Sequence, residues 1–154
     1  MVHRIYDPSH GFLETIGSYL AGGRWNRRRQ YGELYAALSM ETAIAEVRRA
    51  AARRNLRPSD LGRRDHVVMR VRLTRVLDLT SLKFYDSLGM SPEEVLDQKE
   101  LCLQIADQAR ELGYEALLAP SATGSGTNLI IYKDRLLPGC VLEEANREEN
   151  INLG

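Results

Sequence analysis

The sequence predicts one α+β domain, a curved and partly antiparallel sheet flanked by helices. Three observations lead there. The apolar runs are short and strand-sized, two longer stretches repeat their apolar residues at helical spacing, and the two kinds of segment mix without the alternation of a doubly wound sheet. A chain of 154 residues with 44% hydrophobic residues is long enough for one core and short for two. The reading places the domain at 1–142 and leaves 143–154, rich in glutamate, as a polar tail expected to fray.

A strand opens the chain around His3–Tyr6, and a helix near Phe12–Leu20 ends at the Gly22-Gly23 pair. "ELYAAL" (Glu33–Leu38) has strand character. Ser39 then fits an N-cap for a helix over Met40–Arg54, with Glu41 in the favourable first turn. Wheel geometry sets Met40, Ala43, Ile44, Val47, Ala50 and Ala51 on one face of that helix and Glu46 at its edge. The polar stretch Arg53–Asp65 reads as a loop. "HVVMRVRL" (His66–Leu73) alternates in its second half, turning Met69, Val71 and Leu73 one way and Arg70 and Arg72 the other. A short strand follows at Val76–Thr80. Helical spacing extends over Pro92–Leu112 and stops at Gly113. "YEALLAPSA" (Tyr114–Ala122) and "TNLIIY" (Thr127–Tyr132) are two strands joined by a Gly-Ser turn.

Composition narrows the function classes. No apolar run approaches the ~20 residues of a membrane span, and "MVHRIYDPSH" does not have the form of a signal peptide, so a cytoplasmic protein with no membrane partner is expected. Two cysteines, Cys102 and Cys140, and three scattered histidines argue against a disulfide framework and against a metal site. Of 21 basic residues all but three are arginine, most of them in the first half, against 21 acids. Arginine's planar fork suits bidentate contacts to phosphate or carboxylate. An arginine-rich nucleic-acid-binding module without catalysis is the alternative this raises, and zero net charge disfavours it.

The chemistry concentrates in "GGRWNRRRQYGELYAALSMETAIAEVRR" (Gly22–Arg49). Arg24, Tyr35 and Glu46 fall eleven residues apart, on a loop, a strand and the next helix, a unit able to bring all three to one wall. Arg24 would grip a phosphate, Tyr35 would face a flat ring or donate its hydroxyl, and Glu46 would serve a reacting centre. Against this stand plainer roles: Glu46 in a surface ion pair with Arg49, Tyr35 as a half-buried strand residue, Trp25 as a core anchor and Arg27–Arg29 as solvated loop surface. A second candidate is "APSATGSGTN" (Ala119–Asn128), whose small residues let a ligand approach the backbone and whose Ser121 can donate to a phosphate or ribose oxygen. It lacks the lysine and spacing of a phosphate loop, and no dinucleotide-binding glycine motif follows a strand.

Taken in order, "HRIY", "GGRWN", "LYAALSMETAIAEV" and "LLAPSA" resemble the RES-domain family, named for an Arg, a Glu and a Ser, across nearly the whole chain. The resemblance implies a fold similar to ADP-ribosyltransferases and the toxin of a bacterial type II toxin–antitoxin pair, acting on NAD+ as substrate with no metal. It matches the family's residues to Arg4, Arg24, Tyr35, Glu46, Ser121 and Asn128. Arg4 and Arg24 would clamp the two phosphates and Tyr35 would face the nicotinamide. Glu46 would stabilise the oxocarbenium character of the ribose, while Ser121 and Asn128 would help to hold the dinucleotide. The ADP-ribose acceptor is open among water, inorganic phosphate and a protein side chain. The implied partner is an Xre-like helix-turn-helix antitoxin, through which alone nucleic acid would be contacted. The chain departs from the family's pattern at Arg27-Arg28-Arg29, where relatives have a Pro-Pro-Gly-like turn, and at Lys133-Asp134, where they have Asn-Pro.

Overall fold

The computed structural model describes all 154 residues and has the expected α+β architecture, organised on one mixed seven-stranded sheet. Its elements are β1 (Val2–Tyr6), α1 (Ile16–Ala21), β2 (Leu34–Ala37), α2 (Met40–Arg53), β3 (Asp65–Arg72) and β4 (Val76–Asp78). They continue with α3 (Leu82–Leu88), α4 (Pro92–Leu96), α5 (Lys99–Glu111), β5 (Ala116–Pro120), β6 (Thr127–Ile131) and β7 (Val141–Glu148). Strand order is β4-β5-β6-β2-β1-β3-β7; only β4 and β5 run parallel.

Period-two alternation divides the core between the two faces of the sheet. Leu117, Ala119 and Ile130 join Trp25, Tyr85, Leu96 and Cys102 in one cluster, which α3, α4 and α5 cover. Leu34, Ala36, Leu129 and Ile131 turn the other way and pack with Val2, Val67 and Met69. Ser39 is the N-cap of α2, as its sequence position suggests: its Oγ accepts from the Thr42 amide at 3.1 Å, a bond worth about 1 kcal/mol. Ala43 and Ala51 of α2 are buried, Ile44 and Val47 are half-buried, and Ala50, expected on the apolar face, is exposed. No helix is long and apolar enough to cross a membrane.

Three expectations need correction. The tail expected to fray from residue 143 is instead the edge strand β7, paired along its length with β3. From Glu143 onward its side chains are exposed, with Glu143, Glu144, Arg147 and Glu148 charged, as edge strands carry charge against unwanted pairing, and Arg70 meets Glu143 across the pair at 2.6 Å. Beyond it, Ile151 and Leu153 are buried, and the Leu153 carbonyl accepts from Arg48 Nε at 2.5 Å. The helix expected over Pro92–Leu112 is two helices, α4 and α5, interrupted at Asp97–Gln98, where Gln98 leaves helical geometry. The first helix begins at Ile16 rather than Phe12, because Gly11–Glu14 closes a turn of its own with the Glu14 amide on the Gly11 carbonyl at 3.0 Å. Helix α3 lies outside the predicted elements, and Gly89 at φ 65° ends it.

This topology makes a site at one end of the sheet. Because β6 is antiparallel to both β2 and β5, the C-terminal ends of β2 and β5 meet the N-terminal end of β6, and Asn128 faces Ala37 on one side and Ala119 on the other. Helix α2 starts at that same end. Gly126 permits the approach: it adopts φ +88°, and a Cβ there would fall 2.0 Å from the Thr42 hydroxyl.

Candidate active site

Glu46 stands nearly two turns into α2 and is half-buried. Ser121, at the end of β5, donates its hydroxyl to Glu46 Oε1 at 2.6 Å, and Asn128 donates Nδ2 to the same oxygen at 3.0 Å. Both bonds fall on Oε1, so the rotamer is fixed while Oε2 has no partner within the protein. Glu46 makes no ion pair with Arg49; the surface-pair alternative for this residue is ruled out by its actual partners. Ser121 is itself buried, with Thr123 Oγ1 2.6 Å from its hydroxyl and the Thr123 amide donating to it at 3.2 Å. Its hydroxyl is therefore spent on holding Glu46.

Tyr35 sits on β2 with its ring along the same cleft and its hydroxyl anchored in the Gly23–Asn26 turn. It donates to Asn26 Oδ1 at 2.9 Å and accepts from the Trp25 amide at 3.3 Å. Gly23 is obligatory here, since a Cβ would stand 2.5 Å from the Tyr35 hydroxyl. Burial raises the Tyr35 pKa well above its ordinary value, and Glu33, buried just before β2, adds to the rise. The phenol is therefore neutral at any physiological pH. Trp25 is a core anchor, 3% exposed.

Arg24 reaches from the same turn and donates Nη1 to the Leu96 carbonyl, at the point where α4 stops. The interruption of the expected long helix thus supplies the acceptor that positions this side chain. Arg4 donates Nη1 to the Tyr35 carbonyl and Nη2 to the Glu14 carbonyl, each at 3.0 Å. Burial pulls its pKa down to about 10, which leaves it cationic at neutral pH. The arginine triplet divides: Arg27 bridges Glu100 at 3.0 Å and Asp107 at 2.7 Å, whereas Arg28 and Arg29 are exposed.

Arg4, Arg24, Tyr35, Glu46 and Asn128 all line one cleft of about 330 Å³, within the ~300–1,000 Å³ usual for small-molecule sites. Ser121 lies behind its wall. Sequence reasoning did not assign His3, Arg49 and Arg53, which also line the cleft. The two arginines were within its reach, because the spacing Glu46, Arg49, Arg53 keeps them on or near one helix face. For His3 the sequence holds no such signal.

A family model for the RES domain matches residues 1–149. The chain belongs to the RES-domain family. Among its relatives, this RES domain is 27% identical over 130 residues to the NAD(+) phosphorylase MbcT of Mycobacterium tuberculosis, spanning 82% of this chain and 70% of the relative. It is 31% identical over 117 residues to the probable NAD(+) phosphorylase Rv3189 of the same organism, spanning 75% of this chain and 55% of the relative. Its structure is similar to the crystal structure of the M. tuberculosis MbcT–MbcA toxin–antitoxin complex. The TM-score is 0.83 at 25% identity, over 96% of this chain and 82% of the matched one.

Proposed function

We propose that this RES-domain protein is a toxin enzyme that consumes NAD+ by phosphorolysis, cleaving the ribose–nicotinamide bond and passing ADP-ribose to inorganic phosphate. The observation that carries the reading is Glu46 held through Oε1 alone by Ser121 and Asn128, on the wall of a cleft lined by Arg4, Arg24 and Tyr35. The relatives named NAD(+) phosphorylases support the choice of substrate and acceptor.

In this reading the free side of Glu46 faces C1 of the nicotinamide ribose. As the C1–N bond breaks, its electron pair goes to the nicotinamide nitrogen, which loses its positive charge, and the sugar gains oxocarbenium character that the carboxylate stabilises. A phosphate oxygen then forms the new C1–O bond, giving ADP-ribose 1-phosphate and free nicotinamide. Arg24 and Arg4 hold the pyrophosphate by charge-assisted bonds, and the fixed Tyr35 ring forms a wall for the nicotinamide. No metal enters this scheme. The partner is an antitoxin, which the toxin–antitoxin complex of the structural neighbour supports; the family resemblance implies that it is of the helix-turn-helix kind and covers the cleft.

The test is to incubate the purified protein with NAD+ labelled in its adenylate half, with and without phosphate. Free nicotinamide and ADP-ribose 1-phosphate appearing only with phosphate support the reading. Label on protein in a lysate would replace it with protein ADP-ribosylation, ADP-ribose formed without phosphate would replace it with hydrolysis, and intact NAD+ would end it.

A further inference from the structure

A second cavity of about 260 Å³ opens beside the main cleft and is lined by only eight residues, a single one of them hydrophobic. It shares Gly22, Gly23, Arg24, Arg49 and Arg53 with the main cleft, so the two are continuous. Lys99 at the start of α5 completes its cationic wall, and Asp97 is the one acid. Seven arginines elsewhere form ion pairs with carboxylates, Arg27, Arg57, Arg63, Arg64, Arg70, Arg110 and Arg147, and unpaired ones such as Arg28, Arg29 and Arg54 stand exposed on the surface, outside either cavity. Arg49, Arg53 and Lys99 have no ion-pair partner in the chain, although they stand together in one hollow. Burial lowers the Arg49 pKa, the nearby Arg53 and Arg24 lower it further, and Glu46 and Asp97 offset this only in part, so the net direction is down and like charge crowds the group. An anion would relieve that crowding.

We propose that Arg49, Arg53 and Lys99 form the acceptor subsite, which binds inorganic phosphate and delivers it to the ribose beside Glu46. The inference rests on the phosphorolysis reading above and assigns that reaction's second substrate a place. Arg49 and Arg53 follow Glu46 by three and seven residues, about 4.5 and 10.5 Å along the axis of α2. Helical side chains lean toward the N-terminus, the direction of Glu46, and all three residues line the same cleft. That geometry answers a difficulty of the reaction. A phosphate dianion must approach C1 next to the negative charge of Glu46, which repels it, whereas neutral water meets no such barrier. The cations offset the repulsion and select phosphate over water. Phosphate bears its nucleophilic oxygen already deprotonated, so no base is needed, and its remaining proton leaves to solvent from the product monoester.

Steady-state kinetics of Arg53→Gln and Arg49→Gln, with NAD+ and phosphate varied separately, test the assignment together with calorimetric titration of inorganic phosphate into each protein. The phosphate KM is expected to rise about tenfold or more for each lost charge-assisted contact, with the NAD+ KM moving less than about twofold and Arg53→Lys recovering part of the loss. Lys99→Gln changes an exposed residue and gives the same readout should Arg49→Gln fail to fold. A parallel rise in the NAD+ KM would overturn the proposal and assign these cations to the dinucleotide pyrophosphate. Unchanged constants for both substrates would also overturn it. If the wild-type protein consumes NAD+ without phosphate, the phosphorolysis reading fails and the acceptor role with it; phosphate binding that Arg53→Gln abolishes would then support only the anion-binding half of the proposal, and its absence would end that too.

Discussion

Strand β5 has a glutamate working at each end, and the two are held in opposite ways. Glu115, just before its first residue, is fully buried and has both oxygens occupied by backbone. Oε1 accepts from the Thr74 and Arg75 amides at 2.8 and 3.0 Å, and Oε2 accepts from the Leu137 amide at 2.9 Å. At the other end, Ser121 holds Glu46 through one oxygen only and leaves the second for the cleft. A saturated carboxylate ties segments together: Glu115 joins the β3–β4 turn to the segment before β7. A half-saturated one is oriented yet available. In the reading proposed for Glu46, the hydrogen-bond inventory is what distinguishes it from Glu115, since residue type does not.

The same substitution at the two ends should break the molecule in different ways. Glu46→Gln keeps the shape and an Oε1 acceptor but removes the charge, and kcat is expected to fall by roughly 10³-fold. The melting temperature should stay within about 2 °C; nicotinamide release and a thermal melt check the pair. Full activity in the Glu46→Gln variant would remove Glu46 from the chemistry. Glu115→Gln leaves at least one backbone amide facing an NH₂ group, at a cost of about 2–3 kcal/mol. For a chain of this size that is a fall in melting temperature of roughly 5–10 °C, with activity per folded molecule retained.

A finer cut concerns the two donors on Glu46. Ser121→Ala and Asn128→Ala each remove one bond to Oε1 and are each expected to lower kcat about tenfold, near 1–1.5 kcal/mol. Because both act through one oxygen, the double variant should lose less than the sum. Additive losses would mean that Asn128, which lines the cleft, also touches substrate.

What the sequence discloses about this site is local, and what it hides is long-range. Ser39 as a cap, Met40 onward as a helix and Glu46 at the edge of its apolar face follow from short spacings, and the structure shows each of them. Arg24, Tyr35 and Glu46 lining one cleft follows from a loop–strand–helix unit of contiguous residues. That Ser121 and Asn128 converge on Glu46 depends on β6 inserting between β2 and β5, a pairing that no local pattern encodes. The split between α4 and α5 is hidden for a similar reason: the helical spacing runs through it, and the freed Leu96 carbonyl finds its partner in Arg24, 72 residues earlier. Strand β7 reads as tail because an exposed edge strand has no apolar face to alternate, and only its partner β3 reveals it.

The smallest expected effect sharpens the comparison from the side of Glu115. Burial pushes its pKa up, but the amides of Leu137, Arg75 and Thr74 outweigh burial, and the net direction is down. A carboxylate with a folded pKa below its unfolded value, about 4.3, binds fewer protons when folded. Its contribution to stability is then fully present above about pH 4.3 and is lost as pH falls through the folded pKa. Urea unfolding from about pH 6 down to about pH 3 should therefore show wild type losing stability that Glu115→Gln never had, so the gap between the two narrows in acid. A constant gap would mean that the amide contacts favour the neutral acid as much as the anion, and the tie at this end of β5 would owe nothing to charge.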